Sequence, residues 1–163
     1  NLALDMISDI QEITREAKDL GLAVVVWSYP RGGEISKKGE TSIDIVSYAA
    51  HMAALVGAHI IKVKPPTSHI EQNEAKKVYE SENIPIRSLS DRVKHIVESC
   101  FNGKRLVVFS GGSSKDKQSL FDEIRQLYLG GASGSIIGRN SFQRPYDEAL
   151  ALLKEIIKIY KGK

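Results

Sequence analysis

Apolar residues recur along the chain in two alternating rhythms. Leu2, Met6, Ile10, Ile13, Ala17 and Leu20 follow helical spacing, and Gly21 marks the stop. The next segment, AVVVWSYP, is β-branched and aromatic, which is the composition of a strand. The pattern then repeats. Thr41 with Asp44 three residues later has capping-box spacing, and Ile43, Val46, Ala50, Ala53 and Val56 form an apolar stripe closed by Gly57 before HIIKVK. Glu71 to Glu80 predicts a short polar helix. Ser88 and Asp91 cap another, with Leu89, Val93, Ile96, Val97 and Cys100 inward, and RLVVFSGG is the third strand. Leu120, Phe121, Ile124, Leu127 and Tyr128 make an amphipathic helix ended by Gly130 and Gly131. GSIIGRN is the fourth strand, and Pro145 opens a last helix with Leu150, Leu153, Ile157 and Tyr160 inward.

A helix followed by four strand-and-helix units predicts an α/β fold with a parallel sheet and right-handed crossovers. Two architectures fit. One is a doubly wound open sheet of flavodoxin size; the other is half of a (β/α)8 barrel, since four strands are half of what closure needs. The 163 residues suffice for one domain with a real core, and no segment reads as a linker.

In either architecture ligands bind at the carboxyl ends of the strands. The first strand ends in Trp27 and Tyr29, two apart and so on one face, and runs into Pro30, Arg31, Gly32 and Gly33. The second ends in Lys62 and Lys64, which likewise share a face. Ser110, Gly111 and Gly112 end the third, and Gly138, Arg139 and Asn140 the fourth. A single strand-end lysine ordinarily carries its ammonium to solvent, and SGG or GRN alone is a common turn. Four polar or aromatic ends at one sheet edge point instead to one site. The two glycine-rich ends suit a phosphate, because glycine lets backbone N–H groups approach the anion and Arg139 adds charge.

A lysine facing the same mouth has a chemical use. Its amine, with an ordinary pKa of about 10.4, becomes a nucleophile when burial or a like charge favours the neutral form. Lys62, one layer deeper, is the candidate like charge for Lys64. Attack on a ketone gives an iminium that withdraws electrons from a neighbouring carbon–carbon bond, and Tyr29 is placed to move protons.

Composition narrows the partners. The net charge of +3 comes from basic residues dispersed among acidic ones, which argues against nucleic-acid binding. No apolar run reaches the roughly 20 residues of a membrane-spanning helix. The single cysteine, Cys100, reads as a buried small hydrophobe and suits a reducing cytoplasm. His51, His59, His69 and His95 fall on different elements, so no metal is expected.

VVVWSYPRGG, GAHIIKVK, RLVVFSGG and GSIIGRNSFQRP, in this order and spacing, resemble the carboxyl-terminal part of bacterial and archaeal-type class I fructose-1,6-bisphosphate aldolases. The resemblance runs over residues 1–163 and implies a partial (β/α)8 barrel matching strands five to eight. It implies a metal-free, cofactor-free lyase of glycolysis and gluconeogenesis acting on a sugar phosphate. Lys64 matches the family's Schiff-base lysine, Tyr29 its proton-transferring tyrosine and Trp27 an active-site tryptophan. Ser110, Gly111 and Gly112 match one phosphate loop, Gly138 and Arg139 the other. Relatives are complete eight-strand barrels, often in ring-shaped oligomers, with a substrate-side aspartate in the half that has no match here. The chain, beginning at Asn1, is therefore expected to be a fragment of a longer protein, completed by an absent segment or by self-association as a homo-oligomer.

Overall fold

A computed structural model describes residues 2–111 and 115–162. After α1 (Leu2–Asp19) come four strands, β1 (Val25–Trp27), β2 (Ile60–Val63), β3 (Leu106–Ser110) and β4 (Gly134–Ile136). Helix α2 (Ile43–Leu55) follows β1, α3 (Asn73–Ser81) and α4 (Leu89–Ser99) follow β2, and α5 (Lys117–Leu129) follows β3. After β4 come α6 (Arg139–Phe142) and α7 (Tyr146–Tyr160). All strand pairs are parallel and the spatial order is β1-β2-β3-β4. A doubly wound sheet reverses its strand order at a switch point, whereas a barrel adds each strand beside the last. The sequential order therefore selects the half-barrel over the flavodoxin-like alternative.

The register divides the sheet into two chemically different faces. Ile61 pairs laterally with Val107, and Val63 with Phe109; all four are fully buried. They meet Ile43, Val46, Ala50 and Ala53 of α2 and Val93 and Ile96 of α4 in the main core. Burying each such side chain is worth about 1.5–3 kcal/mol, so this face dominates stability. On the opposite face Val25 lies beside Ile60 and Leu106, and Trp27 beside Lys62, Val108 and Gly134. There Val25, Trp27, Leu106 and Ile136 remain exposed. Both lysines of KVK thus turn away from the helices.

Local signals decide some elements and mislead at others. The α2 stripe Ile43, Val46, Ala50, Ala53 and Val56 is buried throughout. Ser88 and Asp91 form the reciprocal capping box at the start of α4. The Thr41–Asp44 pair does not cap α2: Ser42 is the N-cap, and the Asp44 carboxylate accepts the Glu71 and Gln72 N–H groups at 3.0 and 2.9 Å. In α7 the buried residues are Leu152 and Ile156, while Leu150, Leu153 and Ile157 are exposed. The inward face is set by Leu120 and Ile124 of α5, which form a second apolar cluster with that stripe. In α1, Met6, Ile13 and Leu20 are exposed and Thr14 is buried, so only part of its apolar stripe packs inward.

Candidate functional site

The carboxyl ends of β1 to β4 surround an open cleft of about 540 Å³, within the range of small-ligand sites. Tyr29, Lys62, Lys64, Ser110, Gly111, Gly138 and Arg139 all line it. Trp27 stands just behind: the Lys62 ammonium rests 3.8 Å from the centre of the indole ring. Lys62 is buried, and its other aromatic neighbour is Tyr29, 5.9 Å from Nζ. An ammonium over an indole face is held electrostatically, and this contact keeps the deeper lysine folded against the sheet. The Lys64 ammonium lies 5.8 Å from the Tyr29 ring on the cleft side. Gly112 lies outside the described residues.

Backbone architecture explains why these groups converge. Ser28 donates its N–H to the Lys62 carbonyl at 2.9 Å, carrying the β1–β2 ladder one residue past the strand, and its hydroxyl is tied to the Ala49 carbonyl. Tyr29 therefore leaves the sheet on the face opposite α2. Gly32 and Gly33 follow with φ of 74° and 60°, a double left-handed turn that side-chain-bearing residues resist. On the other strand, Lys64 is followed by Pro65 and Pro66. The Arg92 guanidinium clamps this stretch by donating to the carbonyls of Pro66, Ile86 and Arg87.

Across the cleft, the ends of β3 and β4 are held together by one buried side chain. Asn140, 1% exposed, donates from Nδ2 to the Gly111 carbonyl at 3.0 Å and accepts the Lys115 N–H on Oδ1 at 2.8 Å. Arg144 adds bonds to the Asn140 and Lys115 carbonyls. The Lys115 ammonium pairs with Glu123, whose other oxygen is buried without a hydrogen-bond partner among the described residues. GRN is therefore more than a turn: Gly138 is the N-cap of the four-residue helix α6.

Charge follows from this assembly. Arg31, Lys62, Lys64, Lys115 and Arg139 line the cleft with Glu123 as the lining carboxylate among the described residues. Low-dielectric walls with one dominant sign concentrate anions, most strongly those of higher charge. Glu40, on the 3-10 turn Gly39–Thr41 between β1 and α2, reaches Lys64 from the rim, with Oε2 at 3.5 Å from Nζ. The Lys37 ammonium at 2.9 Å, with Lys64 beside it, holds the Glu40 carboxyl below the usual carboxylate range.

The remaining titratable candidates serve elsewhere. His59 accepts the Val24 N–H, His51 bonds the Ser99 carbonyl, His69 pairs with Glu71, and His95 with the Tyr79 hydroxyl. Cys100 is fully buried, and burial pushes its thiol up to about 11. Strand-end reasoning missed Glu40, Lys115, Glu123 and Arg92, because each reaches the site from a loop or helix. The GRN motif was a local signal for Asn140, though not for its clamp.

The DeoC/LacD family aldolase pattern matches residues 2–144. A class 1 fructose-bisphosphate aldolase of Halobacterium salinarum is 32% identical over 149 residues, covering 91% of this chain and 47% of that protein. The fructose-bisphosphate aldolase/6-deoxy-5-ketofructose 1-phosphate synthase of Methanocaldococcus jannaschii is 29% identical over 171 residues, covering 96% and 48%. An archaeal fructose-1,6-bisphosphate aldolase, solved with its catalytic lysine bound to the carbinolamine intermediate of the substrate, superposes with a TM-score of 0.73. Its identity is 26%, over 96% of this chain and 52% of that one. The chain spans about half the length of the curated relatives it matches.

Proposed function

The chain belongs to the DeoC/LacD aldolase family, and from that premise we propose that it supplies the Schiff-base half of an aldolase site for fructose 1,6-bisphosphate. The observation that carries this reading is the convergence of Lys64, Tyr29 and two glycine-rich strand ends on one cationic cleft. In the reading, the neutral Lys64 amine attacks the substrate ketone. The carbon–nitrogen bond forms, the carbonyl oxygen takes one proton from the amine and one from solvent and leaves as water, and a cationic iminium results. A base removes the proton of the hydroxyl two carbons from the iminium carbon, and the bond between that hydroxyl's carbon and the carbon next to the iminium breaks. Its electron pair enters the iminium to give an enamine while the hydroxyl carbon becomes an aldehyde. Tyr29 is assigned that proton transfer, and Trp27 with Lys62 the wall behind the nucleophile. Protonation of the enamine carbon and hydrolysis then release dihydroxyacetone phosphate, the other product being glyceraldehyde 3-phosphate.

Phosphate recognition is assigned to Ser110, Gly111 and Gly112 at one end and Gly138 and Arg139 at the other. The cationic lining supports this assignment. The bifunctional name of the Methanocaldococcus jannaschii relative favours a second reading, a related reaction on another phosphorylated keto sugar. Self-association belongs to the proposal as well, since Val25, Trp27, Leu106 and Ile136 expose apolar surface on the open face. A reducing cytoplasm and a role in glycolysis or gluconeogenesis complete it. No described helix is long and apolar enough to cross a membrane.

The test is cleavage of a panel of phosphorylated keto sugars by the wild type and by Lys64→Ala. Lysine-dependent cleavage fastest with fructose 1,6-bisphosphate supports the first reading, and a different preferred phosphosugar the second. Cleavage that survives in Lys64→Ala rejects both.

A further inference from the structure

A Schiff base works as an electron sink only while its nitrogen is protonated, so a site of this kind needs something to keep the positive charge there. The cleft lining supplies mostly the opposite. Arg31, Lys62, Lys115 and Arg139 are cations, and the Glu123 carboxylate is engaged by Lys115. Glu40 is different. It approaches Lys64 from outside the sheet, with its side chain 14% exposed and Oε2 at 3.5 Å from Nζ.

That position is built with care for placement. The Gly39–Thr41 turn is tied to the segment that follows Lys64. The Thr41 carbonyl accepts the Thr67 N–H at 2.7 Å and the Thr67 hydroxyl at 3.1 Å. Ser36 donates both its N–H and its hydroxyl to Glu71, and the Ser36 hydroxyl accepts the Gly39 N–H. A Cβ at residue 39 would lie 2.5 Å from the Glu71 carboxyl carbon, so the Glu71 carboxylate packs directly on this turn. Glu71 also holds His69, which leaves that carboxylate occupied away from Lys64. The second oxygen of Glu40 is engaged by Lys37, whose own side chain is 88% exposed. The turn that carries Glu40 is therefore hydrogen-bonded to the segment that follows Lys64.

We propose that Glu40 is the counter-ion of the Schiff base on Lys64: its carboxylate stays beside the nitrogen and keeps the iminium protonated while the carbon–carbon bond breaks. The assignment rests on the aldolase reading above and extends it to a residue outside the strand-end motifs. Glu40 exchanges no proton and forms no bond; it is a positioning residue that acts through the charge on Lys64. At 3.5 Å the contact is long for a hydrogen bond and close for an ion pair, which suits a group that must tolerate the nitrogen changing from ammonium to iminium.

An opposite charge at this range favours the charged form of its partner. Removing it eases loss of a proton from both the resting ammonium and the iminium. The adduct therefore forms at lower pH and also fails at lower pH. The experiment is trapping with dihydroxyacetone phosphate and cyanoborohydride, which reduces the iminium, across a pH series in wild type, Glu40→Gln and Glu40→Asp. The fraction trapped is read by intact mass. The expected result is a bell whose two limbs both move to lower pH in Glu40→Gln, with Glu40→Asp lying between. A purely structural role lowers the bell without moving it, and unchanged limbs in a folded, trapping Glu40→Gln overturn the counter-ion while leaving the aldolase reading intact. No trapping in the folded wild type overturns that reading and the counter-ion with it.

Discussion

Replacing Asn140 by alanine tests the join between the two glycine-rich strand ends. Its amide is 1% exposed and bonds the buried Gly111 carbonyl and the Lys115 N–H. Truncation leaves both without this partner. A buried polar group left unsatisfied costs about 1–3 kcal/mol, and the half-buried Lys115 amide falls at the lower end, so the sum is about 2–4 kcal/mol. For a chain of this length each kcal/mol shifts Tm by about 2–4 °C, which places Asn140→Ala roughly 5–15 °C below wild type. Differential scanning calorimetry with and without inorganic phosphate reads both consequences. The wild type gains Tm on adding phosphate, through mass action on the folded state, and the variant loses most of that gain. Asn140→Asp keeps the shape but sets an acceptor against the Gly111 carbonyl and a negative charge near the anion, so its phosphate response is also lost. A Tm for Asn140→Ala within about 2 °C of wild type, with an undiminished phosphate response, refutes the reasoning.

Three further outcomes follow from other contacts. In Gly130→Ala the new Cβ would sit 2.5 Å from the Val93 Cβ and 2.6 Å from the Ser90 carbonyl, so urea titration should show a loss of about 1–3 kcal/mol; an unchanged midpoint contradicts the packing of α5 on α4. Ser88→Ala removes the hydroxyl that accepts the Asp91 N–H and should cost about 1 kcal/mol in the same titration, with no change in the slope of the transition. Burial lowers His95 from its ordinary 6.5, so the unfolded chain takes up the proton first. Stability is then complete above 6.5 and falls as pH drops below it, by up to about 1.4 kcal/mol per pH unit. The decline should flatten in His95→Gln, and an identical pH dependence in that variant refutes the assignment.

How far the sequence could be read depended on the range of the contact involved. The α2 stripe, the alternation around Ile61 and Val63 and the Ser88–Asp91 box are local, and each is seen in the fold. Helix α7 is apolar over much of its circumference, so two stripes were open to it; Leu120 and Ile124, remote in sequence, select Leu152 and Ile156. Thr41 and Asp44 have capping spacing, yet Asp44 is drawn away by two N–H groups beyond β2. The period-two rule put Lys62 and Lys64 on one face, and the register shows that face turned from the helices. Their different surroundings, an indole for Lys62 and a carboxylate for Lys64, come from β1 and the loop after it. Nothing periodic in GEISKKGET marks the contact of Glu40 with the cleft, since Lys64 is 24 residues away.

Borohydride trapping with dihydroxyacetone phosphate, followed by peptide mapping of the adduct, tests most directly whether Lys64 is the nucleophile. The expected result is one added substrate per chain, carried by the peptide containing Lys64 and absent in Lys64→Ala. An adduct on Lys62 instead, or none from a folded sample, contradicts it.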